Sequence, residues 1–393
     1  MSATTSLPRI VDVAASPFSL PLLRPVRSAV AQWHERAGVL LRVEDAEGVV
    51  GYGEASPLPG LSWETPEQVH AAFEALDDFV QQSEAGFAVE AERSSFAASV
   101  KPLTRVLPPT ARHALEQALL DLLAKRRGIS VAAWLAQVLV ASTAAADTAT
   151  LPHERIPVHA LVRDAAEAAT AVAAGYGTLK VKIAADEFED DVARLAAIRD
   201  AVGANVKLRL DANGALTVEE AVAALEVFAR FDVECCEQPV AAHDITGLAE
   251  VRRNQPVPVA ADEAVRTAAD AQRILEAQAA DILVLKPMLI GGLLPALEIA
   301  QAACAEGVGV YATTSLDAAL GRAGAVHLAA ALPGPLLACG LATGELLAAD
   351  LAPRDALPVE HGKMLVPPGP GLGVEPEVWP REPQDAQRKG GGA

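Results

Sequence analysis

Six charged residues fall at the ends of successive β-rich runs, spaced so that each run is one helix away from the next. They are Lys180 and Lys182 in TLKVKIA, Asp211 in RLDANG, Glu237 in CCEQP, Asp262 in AADE and Lys286 in LVLKP. From Lys182 the successive steps are 29, 26, 25 and 24 residues. A strand, a helix and two short turns take about that length, so the pattern predicts a parallel sheet with helical crossovers. If the sheet closes into a barrel, side chains at the carboxyl ends of its strands converge on one mouth.

The alternation holds from Val158 onward. VHALV, TLKVKI, VKLRLDA, VECCEQP, VPVAADE, DILVLKP, VGVYATTS and PLLACG are eight short β-rich runs. Ala-rich segments such as EFEDDVARLAAIRDAV and TVEEAVAALEVFARF separate most of them and favour helix. A helix is expected over 318–332, and little helix follows the eighth run. The expected fold class is α/β: a modified TIM barrel written (β/α)7β. The chain before it reads differently. IVDVAASPFSLPL and GVLLRVEDAEGVVGYGEASPL alternate like antiparallel strands about a turn at Asp45–Gly48. Helical spacing follows at Pro66–Gln82 and Ala111–Arg127. This is an α+β unit, and ASTAAADTATLPHERIP, residues 141–157, reads as the linker after it. From about Leu351 the tail is rich in Pro and Gly and is expected to fold back on the first unit, with a disordered RKGGGA end.

Apolar residues make up 51% of the 393 and aromatics only 4%, so the core must be built mainly from Ala, Val and Leu. The formal net charge of −19 argues against nucleic acid or an anionic membrane surface as a partner. No basic patch precedes an apolar run at the N-terminus, and VAAWLAQVLVASTAAA from Val131 is short for a membrane span. Cys235, Cys236, Cys304 and Cys339 show no CxxC spacing. Reduced thiols and a cytoplasmic location are the expectation.

Strand parity decides which side chains can act together. Lys180 and Lys182 share a face, as do Arg209 with Asp211 and Cys235 with Glu237. Glu263 has the opposite parity to Asp262 and reads as a supporting residue unless the strand has ended there. Asp211, Glu237 and Asp262 supply hard oxygen ligands from three consecutive strands, without His or Cys. Such a set favours Mg²⁺ over zinc, with Mn²⁺ as the alternative. A lysine near a bound dication and a second ammonium has its pKa lowered and becomes a usable base. A carboxylate substrate next to the metal can then lose its α-proton, and the metal charge supports the resulting enediolate.

With these motifs in place the chain resembles the enolase superfamily, in its muconate lactonizing enzyme-like subgroup. The shared features are K-x-K on the second run, D-x-N on the third, E-Q-P on the fourth, D-E on the fifth and K-P on the sixth. The mandelate racemase subgroup would carry a His on the seventh, where this chain has VYATTS. The resemblance implies an N-terminal α+β capping domain over 1–150, completed by 351–393, and a catalytic barrel over 157–350. GYGEASPLPGLSWET, ILVLKPMLIGGL, ATTSLDAALGRAGAVHLAAAL and CGLATGELLAADL resemble the o-succinylbenzoate synthases of that subgroup. That family implies syn dehydration of 2-succinyl-6-hydroxy-2,4-cyclohexadiene-1-carboxylate to 2-succinylbenzoate, a lyase step of menaquinone synthesis. Lys182 would be the base and then the acid, Lys180 would tune it, and Lys286 would stabilise the enediolate. Asp211, Glu237 and Asp262 would hold Mg²⁺.

The same resemblance marks substrate contacts. Arg209 matches a family residue near the metal, or forms a salt bridge within the barrel. Asn213 bonds near the metal or shapes the D-A-N-G turn. Gly291, Gly292, Thr313, Thr314 and Ser315, at the ends of the sixth and seventh runs, are candidates to meet the succinyl carboxylate. The loop Leu58–Leu61 is expected to cover the mouth. His159 reads as structural, and His327 as helix surface. The partner is a small-molecule carboxylate, and the oligomeric state stays open. Two other activities share the residues: racemisation of N-acyl or N-succinyl amino acids, which needs lysines on both faces, and a non-catalytic barrel. No D-x-D follows the last run, which disfavours dipeptide epimerisation.

Overall fold

The computed structural model describes residues 8–27, 31–82, 87–89, 96, 100, 106–142, 151–377 and 379. Residues 143–150 of the 141–157 stretch and the RKGGGA end lie outside them. No described helix is long and apolar enough to cross a membrane.

The N-terminal unit is a four-stranded sheet ordered β3-β2-β1-β4. Its strands are β1 (Arg9–Arg27), β2 (Gln32–Asp45), β3 (Val50–Ala55) and β4 (Phe87–Ala88). The long β1–β2 ladder and the β2–β3 hairpin are antiparallel, and Gly48 N donates to Asp45 O in the turn between β2 and β3. Val39, Leu40, Leu41 and Val43 are all fully buried, with helices Pro66–Gln82 and Pro109–Arg127 packing against β2. Helix Pro109–Arg127 packs on β3 so closely that a Cβ on Gly53 would lie 1.9 Å from Ala114 O. The same helix satisfies the exposed edge of β3: Tyr52 N donates to Asp121 Oδ2 and Glu54 N to Gln117 Oε1, both at 2.9 Å. An edge strand covered in this way cannot recruit another chain.

Strand β5 (Arg155–Pro157) leads into the barrel and pairs with β14 (Lys363–Leu365), itself paired with β13 (Val359–Glu360). The barrel sheet is parallel, and its strands lie side by side in chain order from β6 to β12. It comprises β6 (Ala160–Val162), β7 (Thr178–Lys182), β8 (Lys207–Asp211), β9 (Val233–Glu237), β10 (Val259–Ala261), β11 (Ile282–Leu285) and β12 (Gly309–Ala312). Four of the helices between them start at side-chain caps: Asp164, Asp244 and Thr267 each accept a backbone N–H, and Thr217 with Glu220 forms a capping box.

The expected eighth strand, PLLACG, is not a strand. Only residues around Cys339 and Gly340 pair, through isolated bridges to Val158 and Thr313. Cys339 N donates to Pro157 O at 2.8 Å, His159 N to Cys339 O at 3.0 Å, and Gly340 N to Ala312 O at 2.9 Å. These bonds join the first and seventh strands and close the ring. Pro335 has no N–H to contribute, so the pairing starts late in the run.

Helix Ala319–Ala331 is buried along its whole length, and this corrects the reading of His327 as surface. His327 is fully buried between three elements: its Nδ1 accepts Ala132 N at 3.2 Å, and its Nε2 meets Leu372 O at 2.9 Å. The tail returns to the N-terminal unit. Leu372 N donates to Asp121 Oδ1 at 2.7 Å, and the Trp379 ring lies 6.2 Å from Tyr52.

Candidate active site

At the carboxyl ends of the barrel strands a cavity of about 1130 Å³ opens beneath the N-terminal unit. Parallel register sets the side chains of its floor level with one another. Lys182 lies opposite Asp211, and Asp211 opposite Glu237. Asp262 and Lys286 follow immediately after β10 and β11. Lys180, Lys182, Asp211, Asp262 and Lys286 all line the cavity, and Glu237 is fully buried just below. The strand order places Lys182 and Lys286 on opposite sides of the three acid-bearing strands.

The charges interlock. Lys180 Nζ sits 2.9 Å from Asp211 Oδ2 and also donates to Glu237 Oε2. Lys286 Nζ lies 2.6 Å from Asp262 Oδ1 and 2.7 Å from Oδ2. Lys182 Nζ donates to Asn213 Oδ1 at 2.8 Å, and Asn213 Nδ2 donates to Glu263 Oε1 at 2.9 Å. Burial on its own would lower the pKa of Lys180, but the charges of Asp211, Glu237 and Asp262 outweigh it and hold the ammonium well above its ordinary range. Lys286 is raised in the same way, burial being overcome by Asp262 and Glu263. Burial also opposes ionisation of Asp211, and the charges of Lys180 and Lys182 more than compensate, so its carboxyl is lowered. Glu237 is raised, chiefly by burial.

Among the described residues no three of His, Cys, Asp and Glu surround a common point as they stand, because ammonium groups lie between the acids. The donor chemistry nonetheless fits a hard dication. Three buried carboxylates hold two ammonium groups, and Glu237 Oε1, beside the Tyr311 phenol, has no well-aligned hydrogen bond.

Other expected contacts divide. Asn213, Thr313, Thr314 and Ser315 line the cavity. Arg209 does not. It is fully buried below the floor, where Nε meets Glu234 Oε2 at 2.6 Å and Nη1 donates to Ala338 O at 2.6 Å. Its guanidinium lies 4.3 Å over the Tyr311 ring, so it acts as a barrel salt bridge and stack. Gly291 and Gly292 also sit away from the cavity. Both have positive φ, 94° and 155°, and a Cβ on Gly292 would lie 2.6 Å from Glu116 Oε1 on helix Pro109–Arg127. They allow the chain after β11 to approach that helix. Their position at a strand end suggested a ligand contact; the helix from the other unit was invisible in the local pattern.

Glu263, Arg266, Trp33 and His159 also line the cavity, and none of them was given a site role from the sequence. Glu263 reaches the cavity because β10 ends at Ala261, which voids the parity argument; burial and then Asp262 push its carboxyl up to about 7. Arg266 donates through Nη1 to Leu61 O and pins the Leu58–Leu61 loop at the mouth. Trp33 holds the same loop through Nε1 to Pro59 O at 3.0 Å. His159, expected to be structural, lines the wall beside Gly340.

Comparison with known proteins agrees with this architecture. Residues 11–136 match the mandelate racemase / muconate lactonizing enzyme N-terminal domain family, and residues 163–379 match the enolase C-terminal domain-like family. The chain is 44% identical over 218 residues to an o-succinylbenzoate synthase of Thermobifida fusca, spanning 54% of this chain and 67% of that protein. It is 31% identical to a muconate cycloisomerase of Acinetobacter lwoffii, over 93% of this chain and 92% of the other. A substrate-liganded L-Ala-D/L-Glu epimerase of Bacillus subtilis superposes with a TM-score of 0.81 at 26% identity, covering 94% of this chain and 100% of that one. The chain belongs to the enolase superfamily, within its muconate lactonizing enzyme-like branch.

Proposed function

We propose that the protein is an o-succinylbenzoate synthase, a lyase that dehydrates 2-succinyl-6-hydroxy-2,4-cyclohexadiene-1-carboxylate to 2-succinylbenzoate in menaquinone synthesis. The observation that carries this choice within the superfamily is the 44% identity to a synthase, against 31% to a cycloisomerase and 30% to an epimerase of Bacillus subtilis. The cavity geometry supports the chemistry. Residues 1–150 with 351–393 form the cap in this reading, and 157–350 the catalytic barrel.

Lys182 removes the α-proton with its Nζ lone pair. Asn213 Oδ1, 2.8 Å from that nitrogen, fixes its direction. The C–H electron pair moves into the substrate carboxylate as an enediolate. Collapse of the enediolate expels the hydroxyl on the neighbouring carbon, and the Lys182 ammonium returns the proton to it, so water leaves and the ring becomes aromatic. Lys286, on the opposite side of the acid strands, places its positive charge over the anionic face. Asp211, Glu237 and Asp262 would hold Mg²⁺, with Lys180 released from Asp211 and Glu237 and Lys286 from Asp262. When bound, the ion supplies positive charge beside the enediolate oxygens.

The placement of lysines on both sides also suits N-succinyl amino acid racemisation. Purified protein with Mg²⁺ should dehydrate the cyclohexadiene acid with a higher kcat/KM than it racemises N-succinyl amino acids. A reversed ranking sinks the synthase reading.

A further inference from the structure

We propose that His159 is a substrate-binding residue that presents an Nε2–H donor to the cavity and grips a carboxylate oxygen on the substrate's succinyl arm. This rests on the reading of the cavity as a substrate site, but not on which reaction follows there.

The argument begins with Arg209. A guanidinium has donors only. Its Nη1 lies 3.4 Å from His159 Nδ1, so Nδ1 must offer its lone pair. A neutral imidazole then carries its single proton on Nε2. Arg209 cannot turn away from this role, because Glu234, Ala338 O and the Tyr311 ring hold it on its other sides. The His159 ring is itself held edge-on to Tyr311, with centroids 6.2 Å apart and planes at 85°. Burial, and then the positive charges of Arg209 and Lys180, favour the neutral ring.

The other edge of the ring points to open space. His159 sits between the Val158 bridge and β6, and it lines the cavity together with Ala160 and Leu161. Among the described residues no acceptor meets Nε2. Across the wall stands Gly340, where a Cβ would lie 3.1 Å from Nε2 and 2.2 Å from Thr313 Oγ1. Any side chain there would fill the gap between these two groups, and glycine leaves it open. Thr314 and Ser315 continue the same wall, and the Ser315 hydroxyl is buried without a hydrogen-bond partner. The cavity thus has two unlike sides. One carries the lysines and carboxylates on β7 to β11, and it takes the reacting acid group. The other, from β12 through Gly340 to His159, carries the imidazole and three hydroxyls; Thr313 and Thr314 already bond Gly340 O, so Nε2–H and the Ser315 hydroxyl are the neutral donors left for a ligand, with Glu345 also in the lining. A second carboxylate suits that side: neutral N–H and O–H groups bind an anion there without adding to the charge around the lysines.

The test uses the full-length protein with Mg²⁺ and ¹⁵N-labelled histidine. The His159 signals are assigned by their loss in His159→Gln. The inference expects an Nε2-protonated neutral ring near neutral pH. It also expects a shift of Nε2 on addition of 2-succinylbenzoate or an N-succinyl amino acid, with none on addition of benzoate. In steady-state assays His159→Leu should raise KM about tenfold while leaving kcat within about threefold. His159→Gln, which keeps a donor near the Nε2 position, should restore most of that loss. An Nδ1-protonated ring, or no response to either succinyl ligand, overturns the inference, even if His159→Leu does not fold. Absence of dehydration with a retained Nε2 response would overturn the synthase reading alone.

Discussion

Glu54 ties the N-terminal sheet to the barrel, and its replacement should loosen both. Its carboxylate is fully buried and accepts the amides of Ala318 and Gly321, each at 2.7 Å. Those amides open helix Ala319–Ala331, so a side chain from one unit caps a helix of the other. The segment just before them, Thr313–Leu316, forms a wall of the cavity. Arg36 reinforces the junction, its Nε donating to Leu316 O at 3.1 Å. Glu54→Gln keeps the shape but has one carbonyl oxygen for two amides. Leaving one buried amide unmet costs about 1–3 kcal/mol. Glu54→Ala strands both amides and the Ser56 hydroxyl, which donates to Glu54 at 2.5 Å, for a loss of about 3–5 kcal/mol. Urea unfolding gives these differences directly from midpoint and slope. The same variants should raise KM more than they lower kcat, because the wall moves while Lys182 and Lys286 stay. A Glu54→Ala protein within about 0.5 kcal/mol of the parent would refute the cross-unit cap.

Other outcomes follow from the same geometry. Lys182→Ala should lose dehydration by at least about a hundredfold while still binding Mg²⁺ by calorimetry; full activity would remove Lys182 from the mechanism. Chelation should abolish turnover, and restored Mg²⁺ should raise the melting temperature, the rise growing with the logarithm of free Mg²⁺ once the site is filled, which differential scanning calorimetry can follow. Glu116 is buried and raised to about 7, chiefly by that burial. The folded protein therefore holds a proton that the unfolded chain loses near 4.5, and stability should fall as pH rises from there through about 7. Glu116→Gln should flatten that slope in unfolding curves taken across the window. Gly53→Ala should destabilise by about 1–3 kcal/mol, since its Cβ meets Ala114 O on helix Pro109–Arg127; an unchanged unfolding midpoint would show that the helix can withdraw.

Much of this molecule was legible before its structure. Alternation of runs and Ala-rich segments marked eight barrel runs, of which seven are parallel strands, because strand and helix periods are local properties of side-chain order. Spacing also marked Lys180, Lys182, Asp211, Asp262 and Lys286, which share one cavity. Parity worked where strands continued and failed at Glu263, one residue past the end of β10. Arg209 shares a face with Asp211, yet two residues along a strand is one barrel layer down. It is spent on Glu234 and Tyr311 rather than on a ligand. Gly291 and Gly292 carry the same lesson: their glycine character answers to Glu116 and Arg112, nearly two hundred residues earlier.

The order of residues therefore determined the architecture, the acid and lysine register, and the oxygen-rich character of the centre. These depend on what lies one strand or one turn away. The tertiary structure alone decided which polar groups face the cavity, and it moved His159 from scaffold to wall and Arg209 from wall to scaffold. It also decided that the ring closes through Cys339 and Gly340 rather than a full eighth strand. The physical reason is that orientation in a closed barrel depends on depth along each strand and on contacts between segments far apart in the chain. Neither leaves a periodic trace in the sequence.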